Sequence, residues 1–315
     1  MSNVSSYTSA NQMPIKLLQD KHCIENSVIK PVHIQLIPTN RCNGNCPWCS
    51  CKGVDRTLEL SLDKITKILH YFKELGTKAV TITGGGEPTI HPHIDNIMMI
   101  CKRLDIDVGL VTNGILWGKE RLPLETANAV LTWARVSITD TIGDYPISRL
   151  MQVCSNLPLV DLGVSFTVTK DVNLQTAKNV CSIANEMHNI THIRFVQDIL
   201  SPDKKSMDSI VATCSDCPKA IFQYRDASNK GVKNCLISLL KPVINADEYI
   251  YPCCGVQYAN KKHLRLMPDA FKMCHWSEYK GINAFDGSIC DTCYYAAYNE
   301  TLDLLTTPVK HKSFI

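Results

Sequence analysis

From residue 33 to about residue 200, short apolar runs alternate with amphipathic stretches. The runs "HIQLIPT" (33–39), "AVTIT" (79–83), "DVGLVT" (107–112), "RVSIT" (135–139), "LGVSFTVT" (162–169) and "HIRFVQDIL" (192–200) are rich in β-branched residues. Polar or turn-forming residues bound them, as expected of strands. Between the runs, apolar residues recur at helical spacing. Ile65, Ile68, Leu69, Phe72 and Leu75 follow the i, i+3, i+4, i+7 rule, with Ser61 placed to cap the helix and Gly76 to stop it. Ile94, Ile97, Met98, Cys101 and Leu104 repeat the pattern, as do Val172, Ala177, Val180, Cys181, Ala184 and Met187. Six β-α units predict an α/β fold whose parallel strands form a partial barrel or an open sheet. In parallel barrels the chemistry sits at the carboxyl ends of the strands.

After residue 200 the alternation stops. "KPVINADEYIYPCC" (241–254) reads as a hairpin turning at Asn245-Ala246-Asp247, and the pairs Cys214/Cys217 and Cys290/Cys293 flank it. The expected organisation is an N-terminal extension (1–32), the partial barrel (33–205) and a small cysteine-rich module (206–315) that needs metal to hold it together.

A chain of 315 residues with 45% hydrophobic and 20% charged residues is that of a globular protein able to bury a sizeable core. The formal charge of +3 is too small to imply a nucleic-acid partner. The first thirteen residues are polar and unlike a signal peptide, and no apolar run approaches the roughly 18 residues of a membrane span. The expected location is the cytoplasm, where the sixteen cysteines should not form a disulfide framework; clustered ones point to metal. Cys23, Cys101, Cys154 and Cys181 stand alone, three of them at apolar positions of predicted helices.

"NRCNGNCPWCSC" (40–51) puts four cysteines into twelve residues. On a helix Cys42, Cys46 and Cys49 would share a face, but Asn43, Gly44, Asn45 and Pro47 argue for a loop, and a loop that gathers three thiols gathers them around something. The loop follows the first strand, and "TGGGEP" (83–88) ends the second, so both lie at one mouth. Three thiolates suit a cuboidal iron–sulfur cluster with one open iron, since four irons take four. A small chelate such as the amino and carboxylate groups of methionine could occupy that iron. Gly84, Gly85 and Gly86 would expose backbone to it, and Glu87, expected at an accessible barrel mouth, would accept from its ammonium group. Structural zinc on Cys42, Cys46, Cys49 and Cys51 is the competing reading; zinc gives no reason for the glycine loop after the next strand.

These residues resemble the radical S-adenosylmethionine (radical SAM) superfamily. Its C-x3-C-x-aromatic-C loop is matched by Cys42, Cys46, Trp48 and Cys49, and its GGE motif by Gly85, Gly86 and Glu87. The resemblance covers residues 33 to about 200. It implies a (β/α)6 partial barrel and a [4Fe–4S] cluster on Cys42, Cys46 and Cys49, with Cys51 a bystander. It further implies reductive cleavage of S-adenosylmethionine to a 5′-deoxyadenosyl radical that abstracts hydrogen from the substrate. Carried over with it are Trp48 near the adenine, Asn113, Ser137 and Asp140 toward ribose or carboxylate, and Val196 packing on adenine.

Cys235, Cys253, Cys290 and Cys293 resemble the "twitch" form of the SPASM-type extension, as in radical SAM sugar and aminocyclitol dehydrogenases, which implies one auxiliary [4Fe–4S] cluster. Glu248 departs from that pattern, which usually has glycine there. Cys214, Cys217, Cys254 and Cys274 remain as candidates for a second metal site; Cys254 could instead donate a hydrogen atom. A fully ligated cluster suits electron acceptance, hence a net oxidation.

The expected substrate is a small polar metabolite (a sugar, cyclitol, amino acid or nucleoside), with a flavodoxin- or ferredoxin-type electron donor. Gln35, Arg194 and Asp198 are candidates to face it. Radical modification of a peptide is the alternative. Peptide-modifying relatives often carry a separate leader-recognition domain, and the expectation of a small molecule rests on only about 32 residues preceding the first strand. A zinc-stabilised binding protein is the reading of another class.

Overall fold

The computed structural model describes residues 13–20, 23–25, 27–117, 123–138, 146–225, 229–257 and 269–307. The chain enters through α1 (Met13–Gln19) and a small hairpin of β1 (Ile24–Glu25) and β2 (Val28–Ile29). The central sheet is built from β3 (His33–Leu36), β4 (Ala79–Ile82), β5 (Asp107–Thr112), β6 (Leu131–Ser137), β7 (Asp161–Val168), β8 (Ile190–Gln197) and β9 (Ala220–Gln223). It is completed by β10 (Val243–Ile244), β11 (Tyr249–Tyr251) and β12 (Cys274–His275). The helices that follow α1 are α2 (Leu62–Glu74), α3 (Ile94–Arg103), α4 (Leu124–Val130), α5 (Pro146–Asn156), α6 (Leu174–Glu186), α7 (Lys204–Cys214), α8 (Ile237–Leu240) and α9 (Ala296–Thr306).

The ten strands run in the order β12-β11-β10-β3-β4-β5-β6-β7-β8-β9. All neighbours from β10 to β9 are parallel, and β11 and β12 are antiparallel additions. Among the described residues the order is linear, with β12 and β9 unpaired to each other, so this α/β sheet is a partial barrel. Among the described residues no helix is long and apolar enough to cross a membrane.

One face of the sheet is apolar because alternate strand residues are. Ile34, Leu36, Val80, Ile82, Leu110, Val136, Val164, Phe166 and Phe195 pack in one cluster with Ile65, Ile68, Phe72, Ile97 and Met98 of the covering helices. Each large side chain buried so contributes roughly 1.5–3 kcal/mol. The other face carries Gln35, Thr81, Gly109 and Trp133 in one row, then Arg135, Gly163 and His192, then Ser137, Ser165 and Arg194. Ser61 caps α2 by accepting from Lys64 N at 3.3 Å, and Gly76 follows the helix at φ +105°.

Two departures have local causes. Strand β6 begins at Leu131, four residues earlier than expected, because α4 runs into it without a loop residue to mark the junction. The β-α alternation does not stop at residue 200. Asp203 caps α7 by accepting from Ser206 N at 2.8 Å, and β9 pairs with β8 beyond it. Residue 205, the expected division, falls inside α7, and β10 to β12 join the opposite edge of the same sheet.

Candidate active site

Strand β3 ends in an excursion closed at its base. Thr39 and Glu59 form an antiparallel bridge, Asn40 N donates to Leu58 O at 3.0 Å, and Leu60 N donates to Pro38 O at 2.9 Å. Within it, Cys49 N donates to Cys46 O at 3.1 Å and Lys52 N to Cys49 O at 3.2 Å, a run of turns rather than a helix. A Cβ built on Gly44 would lie 3.7 Å from both Cys42 Sγ and Cys46 Sγ, so these two thiols flank one glycine. Cys42 is exposed and Cys46 and Cys49 are half-buried.

The glycine loop after β4 lies against the base of this excursion. A Cβ on Gly86 would fall 1.9 Å from Arg41 O, one on Gly85 2.1 Å from Asn40 Oδ1, and one on Gly84 2.0 Å from Gly86 O. These glycines are required for space; none of the three has positive φ. Glu87 N donates to Arg41 O at 2.8 Å, and Arg56 Nη1 donates to Asn40 O at 2.9 Å and to Gly85 O at 3.2 Å. The two loops are one body.

Glu87 corrects the expectation of an accessible carboxylate: it is 3% exposed. Oε1 accepts from Thr89 N (3.1 Å), Thr89 Oγ1 (2.7 Å) and Thr112 Oγ1 (2.6 Å), and Oε2 accepts from Asn113 N (2.7 Å). Burial pushes its carboxyl above the usual range, and the bonds from Thr112, Asn113 and Thr89 pull the other way. Asn113 in turn donates through Nδ2 to Asn43 Oδ1 at 2.7 Å. A chain of bonds therefore runs from the glycine loop through the end of β5 to the cysteine loop.

The thiols differ electrostatically. Burial raises Cys46 to about 11. A hydrogen bond from the Cys51 thiol, opposed by burial and helped by the Arg56 charge, holds Cys49 down to about 6. Cys51 itself is buried, and its Sγ lies 3.8 Å from Gly84 O.

Of the remaining candidates, Trp48 is half-buried on the cysteine loop. Ser137 ends β6, where its carbonyl accepts from Arg149 Nη2 at 3.5 Å. Val196 is 5% exposed on the inner face of β8, between Thr167 and Gln223. Asp140 lies outside the described residues. Arg56 and Arg149 are the residues that inspection of the sequence missed. Arg56 stands in a loop with no periodicity to single it out. Arg149 does leave a signal, a charge beside Leu150, Val153 and Cys154 on the buried face of α5.

Cys235, Cys253, Cys290 and Cys293 line one pocket. Glycines let their segments meet: a Cβ on Gly231 would lie 1.8 Å from Gly287 O and 2.8 Å from Cys290 Cβ, and one on Gly287 3.3 Å from Cys235 Cβ. Gly231 N donates to Cys290 O at 3.0 Å, Cys293 N to Asn229 O at 2.7 Å, and Asn299 Nδ2 to Cys235 Sγ at 3.8 Å. Burial, reinforced by neighbouring thiols, raises Cys235 to about 11 and Cys290 to about 12. Glu248 adopts φ +70°, the backbone region glycine prefers, and its carboxylate is held by Lys64 and His275.

The leftover cysteines are not gathered into a second site. Cys214 and Cys217 are buried in the main core, where Cys181 hydrogen-bonds with both. Cys274 lies in β12, and Cys254 Sγ sits 3.0 Å from Tyr295 Oη. Among the described residues no three His, Cys, Asp or Glu side chains stand close enough to hold a single metal ion. A cuboidal cluster keeps its thiolates further apart than one tetrahedral ion does. The four C-terminal cysteines, spread around one pocket, fit the cluster better than zinc.

Residues 36–141 match the family described as the Radical SAM superfamily. A protein named GTP 3',8-cyclase from Staphylococcus aureus (strain JH9) is 29% identical over 171 residues, 50% of this chain and 49% of the relative. The chain thus spans about half the length of the curated relatives it matches. Among solved structures, Streptococcus suis SuiB bound to precursor peptide SuiA superposes with TM-score 0.59 at 14% identity, over 93% of this chain and 76% of that one. The anSMEcpe protein with bound AdoMet and Kp18Cys peptide gives 0.55 at 13% identity, over 79% and 78%. At such identities the likeness is one of fold.

Proposed function

Residues 36–141 of this chain are a radical SAM domain, and on that premise we propose that the protein abstracts a hydrogen atom from a small polar metabolite in a net oxidation. The family uses a [4Fe–4S] cluster and S-adenosylmethionine. Cys42, Cys46 and Cys49 are the residues we assign to that cluster. The chemistry it supplies, with S-adenosylmethionine at its open iron, is reductive cleavage to methionine and a 5′-deoxyadenosyl radical. Cys235, Cys253, Cys290 and Cys293 would hold an auxiliary cluster, whose contribution is electron acceptance. A flavodoxin- or ferredoxin-type protein is the proposed donor, and the cytoplasm the proposed location.

The chain's own residues prepare the site. The Glu87–Asn113–Asn43 hydrogen bonds hold the cysteine loop against Gly84 to Gly86, and this observation carries the reading. Arg56 fixes the same two loops through Asn40 O and Gly85 O. Glu87, with its carboxylate engaged by four donors, positions the loops; its contact with the cofactor's ammonium group is not needed for that role. A small-molecule substrate is favoured because the sequence relative is named for a nucleotide.

The test is anaerobic reconstitution with iron and sulfide, reduction, and chromatographic detection of 5′-deoxyadenosine. The wild type should form it, and the Cys42→Ala/Cys46→Ala/Cys49→Ala variant should form none. Unchanged cleavage by that variant would refute the assignment. Deuterium transferred into 5′-deoxyadenosine from a labelled peptide, and from no labelled metabolite, would move the substrate to the peptide class.

A further inference from the structure

Asn299 stands in the first turn of α9, is 3% exposed, and lines the same pocket as Cys235, Cys253, Cys290 and Cys293. Leu302, three residues on, is fully buried in one apolar cluster with Cys235 and Ile237, so this face of α9 packs on the start of α8. The Asn299 amide is held at both ends. Its Oδ1 accepts from Ile237 N at 2.9 Å, and its Nδ2 donates to Cys235 Sγ at 3.8 Å. The orientation is fixed by chemistry. A backbone N–H can only donate, so Ile237 takes the oxygen end, and the NH2 group is left for the sulfur.

Anchoring α8 does not by itself call for asparagine, because aspartate would accept from Ile237 N equally well. What asparagine adds is the donor toward Cys235. Cys253 and Cys293 are served differently, by the backbone N–H groups of Gly255 and Tyr295, which any residue but proline would supply. The bond to Cys235 depends on the identity of residue 299. Ile237, Pro252 and Phe285 form apolar parts of the pocket wall, so a donor aimed at a sulfur there is little screened by solvent.

We propose that Asn299, through its hydrogen bond to the Cys235 sulfur, raises the reduction potential of the auxiliary cluster so that it accepts the electron released by the substrate radical. This deepens the proposed function and rests on it for the presence of that cluster. In the net oxidation the substrate gives a hydrogen atom to the 5′-deoxyadenosyl radical, then one electron to the cluster and one proton to solvent. The electron adds a negative charge to the iron, sulfide and thiolate unit. A hydrogen bond to an anionic acceptor strengthens as that charge grows, which favours the reduced state. Asn299 acts through Cys235 and is a positioning residue in this sense.

The test is a redox titration of the reconstituted full-length protein. Electron paramagnetic resonance follows the reduced cluster whose signal is unchanged by S-adenosylmethionine. Asn299→Asp keeps the acceptor for Ile237 N and removes the donor, whereas Asn299→Leu removes both. Each should lower the equilibrium constant for reduction at least about tenfold, a fall of about 59 mV for one electron. Glu300→Gln, at the exposed neighbouring position, should titrate as the wild type does. Should neither Asn299 variant load the cluster, wild-type protein carrying 15N in its asparagine side chains makes the comparison. A 15N coupling to the reduced auxiliary cluster supports the proposal, and its absence overturns it. An unchanged potential in Asn299→Asp also overturns it, even if Asn299→Leu shifts, because the anchor to Ile237 would then be the cause. A wild type holding only the cluster that responds to S-adenosylmethionine refutes the auxiliary-cluster reading and this proposal together. A second cluster whose potential ignores residue 299 overturns this proposal alone.

Discussion

Asn113 Nδ2 donates to Asn43 Oδ1 at 2.7 Å, joining the end of β5 to the cysteine loop across seventy residues of sequence. The Asn113 backbone N–H meanwhile donates to Glu87. One asparagine thus couples the loop that carries Cys42, Cys46 and Cys49 to the carboxylate that closes the glycine loop. Asn43→Ala should remove one hydrogen bond, costing about 1 kcal/mol, without unfolding the sheet. Reconstituted variant protein should lose iron faster on gel filtration and form less 5′-deoxyadenosine. Iron retention equal to wild type would mean that the loop is held without Asn113.

Glu87→Ala leaves Thr89, Thr112 and the Asn113 N–H without their acceptor in a site almost closed to solvent. The expected effect is a loss of roughly 3 kcal/mol in stability, read by chemical denaturation, together with weaker S-adenosylmethionine binding. Glu87→Gln keeps an acceptor oxygen and should lose less. A variant of wild-type stability that only binds the cofactor more weakly would return Glu87 to the role of a direct contact.

Gly86→Ala places a methyl group 1.9 Å from Arg41 O, which is backbone and cannot swing aside. The loops must separate, at a cost of about 1–3 kcal/mol. The variant should take up less iron on the N-terminal loop while the C-terminal cysteines load normally, a split measurable by spectroscopy with and without S-adenosylmethionine. Full N-terminal loading would show that the two loops need not touch.

For the C-terminal cysteines, iron in the wild type should approach about eight per chain, and Cys290→Ser/Cys293→Ser should lower it to about four. Because Gly231, Gly287 and the cysteine segments pack around one pocket, loss of the metal should also expose the residues after 229 to limited proteolysis. Product formation should stop while some cofactor cleavage persists. Zinc recovered in place of iron would overturn the electron-acceptor role.

Much of this protein was legible in the amino-acid order alone. Strand alternation and the 3.6-residue period are local properties, so β3 to β8, α2 with its Ser61 cap, α3 and α6 could be read directly. The loop character of residues 40–51 followed from Asn, Gly and Pro, whose backbone preferences act within a few residues. The cysteine and glycine loops could be set at one mouth because parallel strands end on the same side. The β10–β11 hairpin was visible for the same local reason.

What the tertiary structure decided depends on partners distant in sequence. Glu87 reads as an available carboxylate; only the arrival of Thr112 and Asn113 from β5 makes it a buried acceptor, since burial is a property of the assembled sheet. Arg56 carries no pattern, and its use comes from meeting Asn40 and Gly85 carbonyls that a fold must bring to it. Cys181 looks unrelated to the Cys214/Cys217 pair until α6 and α7 pack together. Local preference is written along the chain, whereas electrostatic company is set by which strands and helices become neighbours.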